Sequence, residues 1–162
     1  RCGEEVREAT MATATAPKFD SIKVGDQLKS LVLPPVSRHQ LALYCGGSGD
    51  HNPIHVDLDF AKKFGFKDVF AHGMLSMAFL GRLVTSWVPQ KQVRGLGTRF
   101  TSITWVGDVI TVSGKVTGKR EANGEKLVDL EVKCTNQNGQ DTLQGSATVA
   151  LEIGRASCRE RV

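Results

Sequence analysis

The chain has 162 residues, 40% of them apolar and 23% charged, with a formal net charge of +4. This is the composition of a single soluble domain with enough apolar side chains for a core. No apolar run approaches the ~20 residues of a membrane span, and so small a charge does not argue for nucleic acid.

The two ends differ from the middle. Met11-Ala12 reads as a start, so residues 1–10 are taken as a non-native extension. Residues 153–162 carry neither a helical nor a strand period and resemble translated cloning sequence. The folded unit is therefore expected over 11–152. The net charge changes little with this cut: residues 1–10 hold two Arg against three acids and 153–162 three Arg against one, which leaves +3. The start lacks both an apolar secretory core and the arginines of a transit peptide, so a cytoplasmic protein is expected. Cys45 and Cys134 lie far apart with no C-x-x-C, which suits a reducing compartment.

In chain order, 19–26 is a lead-in with a Gly25-Asp26 turn, and 27–33 reads as a short strand stopped by Pro34-Pro35. Ser37 is a good N-cap for a helix over about 38–45, with Leu41, Tyr44 and Cys45 on one face. Gly46-Gly47-Ser48-Gly49 is expected to end it. Next comes Asp50-His51-Asn52-Pro53-Ile54-His55, an acid, an amide and two imidazoles around a proline that forbids a helix interior. Asp57 can cap a second short helix, about 58–64, carrying Phe60, Ala61 and Phe64 inward until Gly65 stops it. From Met74 to about Trp87 a long helix is apolar on nearly every side, which predicts burial all round.

From Val93 the period changes to two. Residues 93–106, 109–119, 126–135 and 142–151 read as strands separated by Gly107-Asp108, Asn123-Gly124 and Asn138-Gly139. The two Asn-Gly pairs are strong hairpin signals. A meander with one apolar face needs cover, and the apolar helix is long enough to supply it. The expected class is α+β: an antiparallel sheet of five or so strands wrapped around a central helix.

The stretch 48–57 carries the chemistry. Asp50 and His55 stand five apart across the Pro53 bend, which can turn both side chains toward one point. A carboxylate and an imidazole need that geometry to act on one proton or one water. The alternative is an Asx-turn and helix cap, with Asp50 and Asn52 bonding backbone. These ten residues alone leave both open. His51-x-x-x-His55 has the spacing of a helical zinc pair, but Pro53 breaks the helix that would align it, and no metal is expected. Asp50-x-Asn52 begins like a calcium loop, yet Ile54 and His55 stand where that loop needs an oxygen ligand and a glycine. Cys45 is weighed as a thiol nucleophile against the commoner fate of a small packed thiol.

The motif Tyr44-x-x-x-Ser48-Gly49-Asp50-x-Asn52-Pro53-Ile54-His55-x-Asp57 is followed by Ala71-His72-Gly73-Met74-Leu75, Arg99-Phe100-Thr101 and Gly107-Asp108. Together these resemble the MaoC-like branch of the hot-dog fold, which includes (R)-specific enoyl-CoA hydratases and (3R)-hydroxyacyl-thioester dehydratases. Within the branch, Phe19-x-Ser21-x-Lys23-Val24-Gly25-Asp26 and Val84-Thr85-Ser86-Trp87 look most like the dyad-bearing dehydratase subunits of mycobacterial type II fatty-acid synthesis. The resemblance spans about 19–151 and implies a hot-dog fold.

It also implies reversible hydration of trans-2-enoyl thioesters on coenzyme A or acyl carrier protein, with no cofactor. Asp50 and His55 would be the catalytic dyad, Asn52 would orient the dyad or the thioester, and the Gly73 N–H would be the oxyanion donor. His72, Met74, Ser76, Met77 and Leu80 would border the substrate, although His72 beside Gly73 also reads as structural. Gly81 departs from the pattern, since several such hydratases carry serine there.

A homodimer, or a heterodimer with a related hot-dog subunit, is expected. Lys62, Lys63, Lys67, Lys91, Arg94 and Arg99 read as a solvated face, of which a subset could meet coenzyme A phosphates or an acidic carrier. The rivals are a non-catalytic partner subunit, which has no need of the dyad, and a thioesterase on the same fold.

Overall fold

A computed structural model describes residues 16–151, so the expected extensions 1–10 and 153–162 lie outside the described residues. In chain order come β1 (Leu31–Val32), α1 (Arg38–Ser48), a 3-10 turn (Pro53–His55), α2 (Leu58–Lys63), α3 (Gly73–Trp87), β2 (Val93–Phe100), β3 (Thr111–Ala122), β4 (Glu125–Thr135) and β5 (Asp141–Leu151). The strands form one sheet in the order β1-β3-β4-β5-β2, with every neighbouring pair antiparallel. Among the described residues no helix is long and apolar enough to cross a membrane.

The two Asn-Gly pairs behave differently. Asn123 (φ 52°) and Gly124 (φ 77°) are both left-handed and join β3 to β4 as a two-residue turn. Two left-handed residues are what a type I′ turn needs, and its twist matches that of the strands. The second pair sits inside a longer loop. There the Asn136 side chain accepts from the backbone N–H groups of Asn138 and Gln140, and Gly139 alone of the pair is left-handed.

α3 crosses the apolar face of the sheet. Leu75, Phe79, Leu80, Leu83 and Val84 recur at three- and four-residue spacing, and all are buried against Val112, Val116, Leu130, Val132, Leu143 and Val149. Gly114 lets the helix sink in: a Cβ there would meet Leu83, Leu28 and Val132 side chains at 3.2–3.4 Å. The helix is not buried all round. Met74 is 58% exposed, and Ala78, Arg82 and Thr85 also face outward. The reason is topological, because the sheet curls over one side of α3 and no described element covers the other.

Other expectations shift for local reasons. The strand predicted over 27–33 is only two residues long, with Gln27 making an isolated bridge to Lys115. α1 runs on through Gly46-Gly47 and ends at the left-handed Gly49 (φ 76°). α2 stops at Lys63, leaving Phe64 61% exposed. The chain reverses at Gly65, whose N–H reaches the Lys62 carbonyl while the Phe66 N–H reaches that of Ala61. This Schellman closure turns Phe66, not Phe64, toward the core. The strand predicted over 93–106 ends at Phe100. There the N–H groups of Thr101 and Ser102 both reach the Thr142 carbonyl, which breaks the ladder. The chain then runs beside Phe70 and Ala71, with Ala71 N–H donating to the Thr104 carbonyl and Phe70 bridged to Trp105.

Candidate active site

The loop between α1 and α2 is assembled by short polar side chains closing on backbone. Ser37 caps α1 by accepting from the Gln40 N–H. Past Gly49, the Ser48 hydroxyl accepts from the Asp50 N–H, and Asp50 Oδ1 accepts from the Asn52 N–H at 3.3 Å. Asn52 Oδ1 then accepts from the Ile54 N–H and caps the 3-10 turn that Pro53 opens. Asp57 Oδ1 caps α2 through the Phe60 N–H. The turn-and-cap alternative is therefore realised at Asp50 and Asn52. It does not displace the chemical reading, because a carboxylate has two oxygens and this turn uses one of them.

What the turn achieves is the placement of His55. Its Nδ1 lies 2.8 Å from the Phe70 carbonyl oxygen. A carbonyl only accepts, so Nδ1 carries the proton and Nε2 keeps the lone pair of a base. His72, at the N-cap of α3, stacks on His55 with ring centroids 4.0 Å apart and planes 30° apart. His72 Nε2 sits 3.3 Å from the Asp50 carbonyl oxygen, which assigns its proton to Nε2 by the same logic. Burial first, and then the charge of His55, hold the His72 pKa below its ordinary value of 6.5, so this second ring is kept neutral.

Asp50, His55 and His72 each offer a donor atom within 4.8 Å of the others. The composition is that of a two-histidine, one-carboxylate metal set, but the ring geometry opposes it. Imidazole lone pairs lie in the ring plane. Two rings stacked with planes 30° apart do not bring those planes together within a metal–nitrogen bond of about 2.1 Å. His51 is exposed and outside this cluster, so the His51-x-x-x-His55 spacing brings no second imidazole to His55.

Beside the cluster, Gly73 opens α3. First-turn N–H groups have no acceptor inside their own helix and carry its positive dipole end. A cavity of about 310 Å³ lies against this end, lined by Phe70, Gly73, Ser76, Phe100, Thr104 and Leu143 among others. The Phe100 ring covers Gly73 so closely that an added Cβ would stand 3.3 Å from Cε1. Ser76 and Thr104 are both buried, with their hydroxyls 3.5 Å apart.

Of the residues expected at the site, Asp50, His55 and His72 come together, Gly73 and Ser76 line the neighbouring cavity, and Asn52 caps the turn that carries His55. Leu80 is fully buried and packs in the core, while Met74 and Met77 border the open side of α3. One contributor gave no signal in sequence: the Phe70 carbonyl is backbone and has no side-chain signature. Tyr44, whose ring lies 4.9 Å from His72, and Phe100 both stand in the motif that carries the resemblance, but no role at the site follows for either from sequence.

Comparison with known proteins covers the same ground. A family model described as MaoC like domain matches residues 18–138. The (R)-specific enoyl-CoA hydratase of Rhodospirillum rubrum is 33% identical over 135 residues, which is 82% of this chain and 90% of that protein. The mitochondrial 3-hydroxyacyl-acyl-carrier-protein dehydratase of Arabidopsis thaliana is 30% identical over 131 residues, 80% of this chain and 78% of that one. Among solved structures, the (R)-hydratase from A. caviae is similar with a TM-score of 0.72 and 28% identity, over 82% of this chain and 98% of its own. The family match takes in the Asp50–His55 turn, all of α3 and the meander as far as the β4–β5 loop, and by it this chain belongs to the MaoC-like family.

Proposed function

We propose that this protein is a hydro-lyase that adds water reversibly to trans-2-enoyl thioesters, giving (3R)-hydroxyacyl thioesters on coenzyme A or acyl carrier protein. The observation that carries this reading is the convergence of the Asp50 carboxylate and the His55 imidazole beside the free end of α3. In hydration, Asp50 and His55 hold a water whose oxygen bonds to C3, and the dyad takes one of its protons. The C2–C3 π pair moves toward C2 and charge builds on the thioester oxygen. The Gly73 N–H receives that charge, as an oriented donor at a helix N-terminus can. The proton then passes from the dyad to C2, so the net change is one added water. Dehydration is the same path reversed.

Asn52 serves the dyad through the turn it caps. Ser76 and the apolar walls of the cavity border the acyl group near the thioester. Free Cys45 and Cys134 support a reducing, cytoplasmic setting, and burial pushes the Cys134 thiol up to about 12, well out of the nucleophilic range.

The same reading includes a second hot-dog chain. β2 is an eight-residue strand bonded to β5 on one side, with its other edge unpaired among the described residues. Beside that edge lie Leu96, the 52%-exposed Phe100 and the open stripe of α3 formed by Met74, Met77, Ala78 and Gly81. An open edge flanked by apolar side chains favours pairing with a like edge, from an identical or a related subunit. Sedimentation at micromolar concentration is expected to give a dimer with one or the other.

The reaction is tested by following enoyl absorbance with crotonyl, octenoyl and longer trans-2-enoyl thioesters on both carriers, with chiral separation of the product. Loss of absorbance and an (R)-alcohol are expected. Release of free thiol in place of hydration would make the protein a thioesterase. Inactivity of the folded protein on every carrier would favour the partner-subunit reading.

A further inference from the structure

We propose that His72 is a positioning residue for the dyad, its Nε2–H anchoring the Asp50 backbone so that the Asp50 carboxylate stays beside the His55 ring. This rests on the hydratase reading for its effect on rate, but its geometry stands apart from it. His72 is 0% exposed and lies between Tyr44 of α1, with centroids 4.9 Å apart, and His55 of the 3-10 turn at 4.0 Å. It is also the residue before Gly73, so its backbone sets where α3 begins. One side chain thus joins three segments that are far apart in sequence: the end of α1, the dyad turn and the oxyanion end of α3.

The chemistry argues for imidazole rather than mere filling. His72 Nδ1 is buried without a hydrogen-bond partner. A phenylalanine or leucine would pack the same space and leave no unpaired nitrogen. What imidazole adds is the Nε2–H directed at the Asp50 carbonyl, 3.3 Å away. Asp50 is otherwise held at the mouth of an exposed loop, with only Ser48 and its own turn to fix it. The titratable groups facing His72 are His55, Asp50 and Tyr44. A proton on His72 would set a second cation against His55 just as His55 takes up its own. Burial and the neighbouring charge keep His72 neutral, so the stacked ring presents a π face to the imidazolium.

The test uses the full chain with His72→Phe, which keeps an aromatic face, and His72→Gln, which keeps an N–H near the Nε2 position. With the enoyl thioester that the wild type hydrates, His72→Phe should lower kcat by roughly 10- to 100-fold with KM within about threefold, the scale of a small misplacement of reacting groups. His72→Gln should keep kcat within about fivefold of wild type if the anchor is what matters. NMR of isotope-labelled histidines gives a readout independent of activity. It should show His72 as the Nε2–H tautomer and His55 as the Nδ1–H tautomer, and the His55 tautomer should persist in His72→Gln. A folded His72→Phe with wild-type kcat, a His72→Gln as slow as His72→Phe, or an Nδ1–H tautomer at His72 would each overturn the proposal. If His72→Phe does not fold, the wild-type tautomers and the His72→Gln rate still decide. A wild type inactive on every thioester would refute the hydratase reading, and the NMR would still judge the anchor.

Discussion

The β3–β5 meander and the insert between residues 37 and 72 are held by different kinds of bond. The meander is closed by a backbone ladder that runs with small register shifts from Thr111 to Leu151. Its side chains pack, but the ladder does not depend on which polar residue faces solvent. The insert has two short helices and a single 3-10 turn, and each join is closed by one named side chain: Ser37, Ser48, Asp50, Asn52, Asp57 and the Arg38–Asp68 pair. In the meander a polar residue is replaceable decoration on a periodic frame. In the insert the polar residues are the frame, and one of them, Asp50, is with His55 a reacting group of the proposed mechanism. Function concentrates where the backbone is least self-sufficient, as is general for sites built on loops over a rigid scaffold.

The sharpest break in this comparison comes from removing a carboxylate in each region. Asp50→Ala or His55→Ala should lower turnover by roughly 10²–10⁴, the scale of lost acid–base catalysis, and the double variant should be little worse than either. Asp129 of β4 is the better bonded carboxylate. Arg120 and then Thr148 hold its pKa low, and it pairs with Arg120 at 2.9 Å. Asp129→Ala should nonetheless leave turnover per folded molecule unchanged. Steady-state rates normalised to folded protein decide, and a comparable loss in Asp129→Ala would erase the distinction between the two regions.

The converse break is in the sheet. A Cβ on Gly145 would collide with the backbone oxygen of Gly97 and crowd the Thr98 Cα, all of it backbone with no flexible end to move aside. Gly145→Ala should therefore pry β2 from β5 and cost about 1–3 kcal/mol, the usual scale of overpacking. Urea midpoints measure this. Unchanged stability would mean that β2 rides more loosely on β5 than its register implies.

A smaller effect is expected with pH. The folded chain binds the His72 proton less readily than the unfolded chain, because burial and then the His55 charge depress its pKa below 6.5. The unfolded state therefore gains protons first as pH falls. Stability from this group is whole above about pH 6.5 and declines below it, by at most about 1.4 kcal/mol per pH unit for one proton. Asp129 and Asp141 have pKa values held below 3.8 and stay charged in both states above about pH 5.5. Urea midpoints at about pH 7 and about pH 5.5 should differ less in His72→Gln than in wild type, and equal differences would place the proton elsewhere.

Much of this molecule is legible in its sequence where a period or a turn rule applies. Alternation gives the meander, Asn123-Gly124 gives its tight hairpin, and the apolar spacing of 75–84 gives the buried side of α3. The spacing of Asp50 and His55 across Pro53 marks the stretch, and it is the family resemblance, not that spacing, that selects a dyad over a turn and cap. What escapes is whatever depends on a distant partner. The open side of α3 carries apolar residues that the local pattern cannot distinguish from buried ones. The departure of the chain from the sheet after Phe100 follows from its pairing with Phe70 and Ala71, some thirty residues earlier in sequence. The tautomer of His55 is fixed by the Phe70 carbonyl, which leaves no mark on residue type.

The central claim is that one dyad, standing on one face of the substrate, delivers both the oxygen to C3 and the proton to C2. Hydration of crotonyl thioester in heavy water tests it most directly, with the relative configuration at C2 and C3 read from proton NMR of the product. The account predicts a single syn diastereomer, deuterated once at C2 and R at C3. An anti product, an S alcohol, or deuterium scrambled over both C2 positions at early conversion would contradict it.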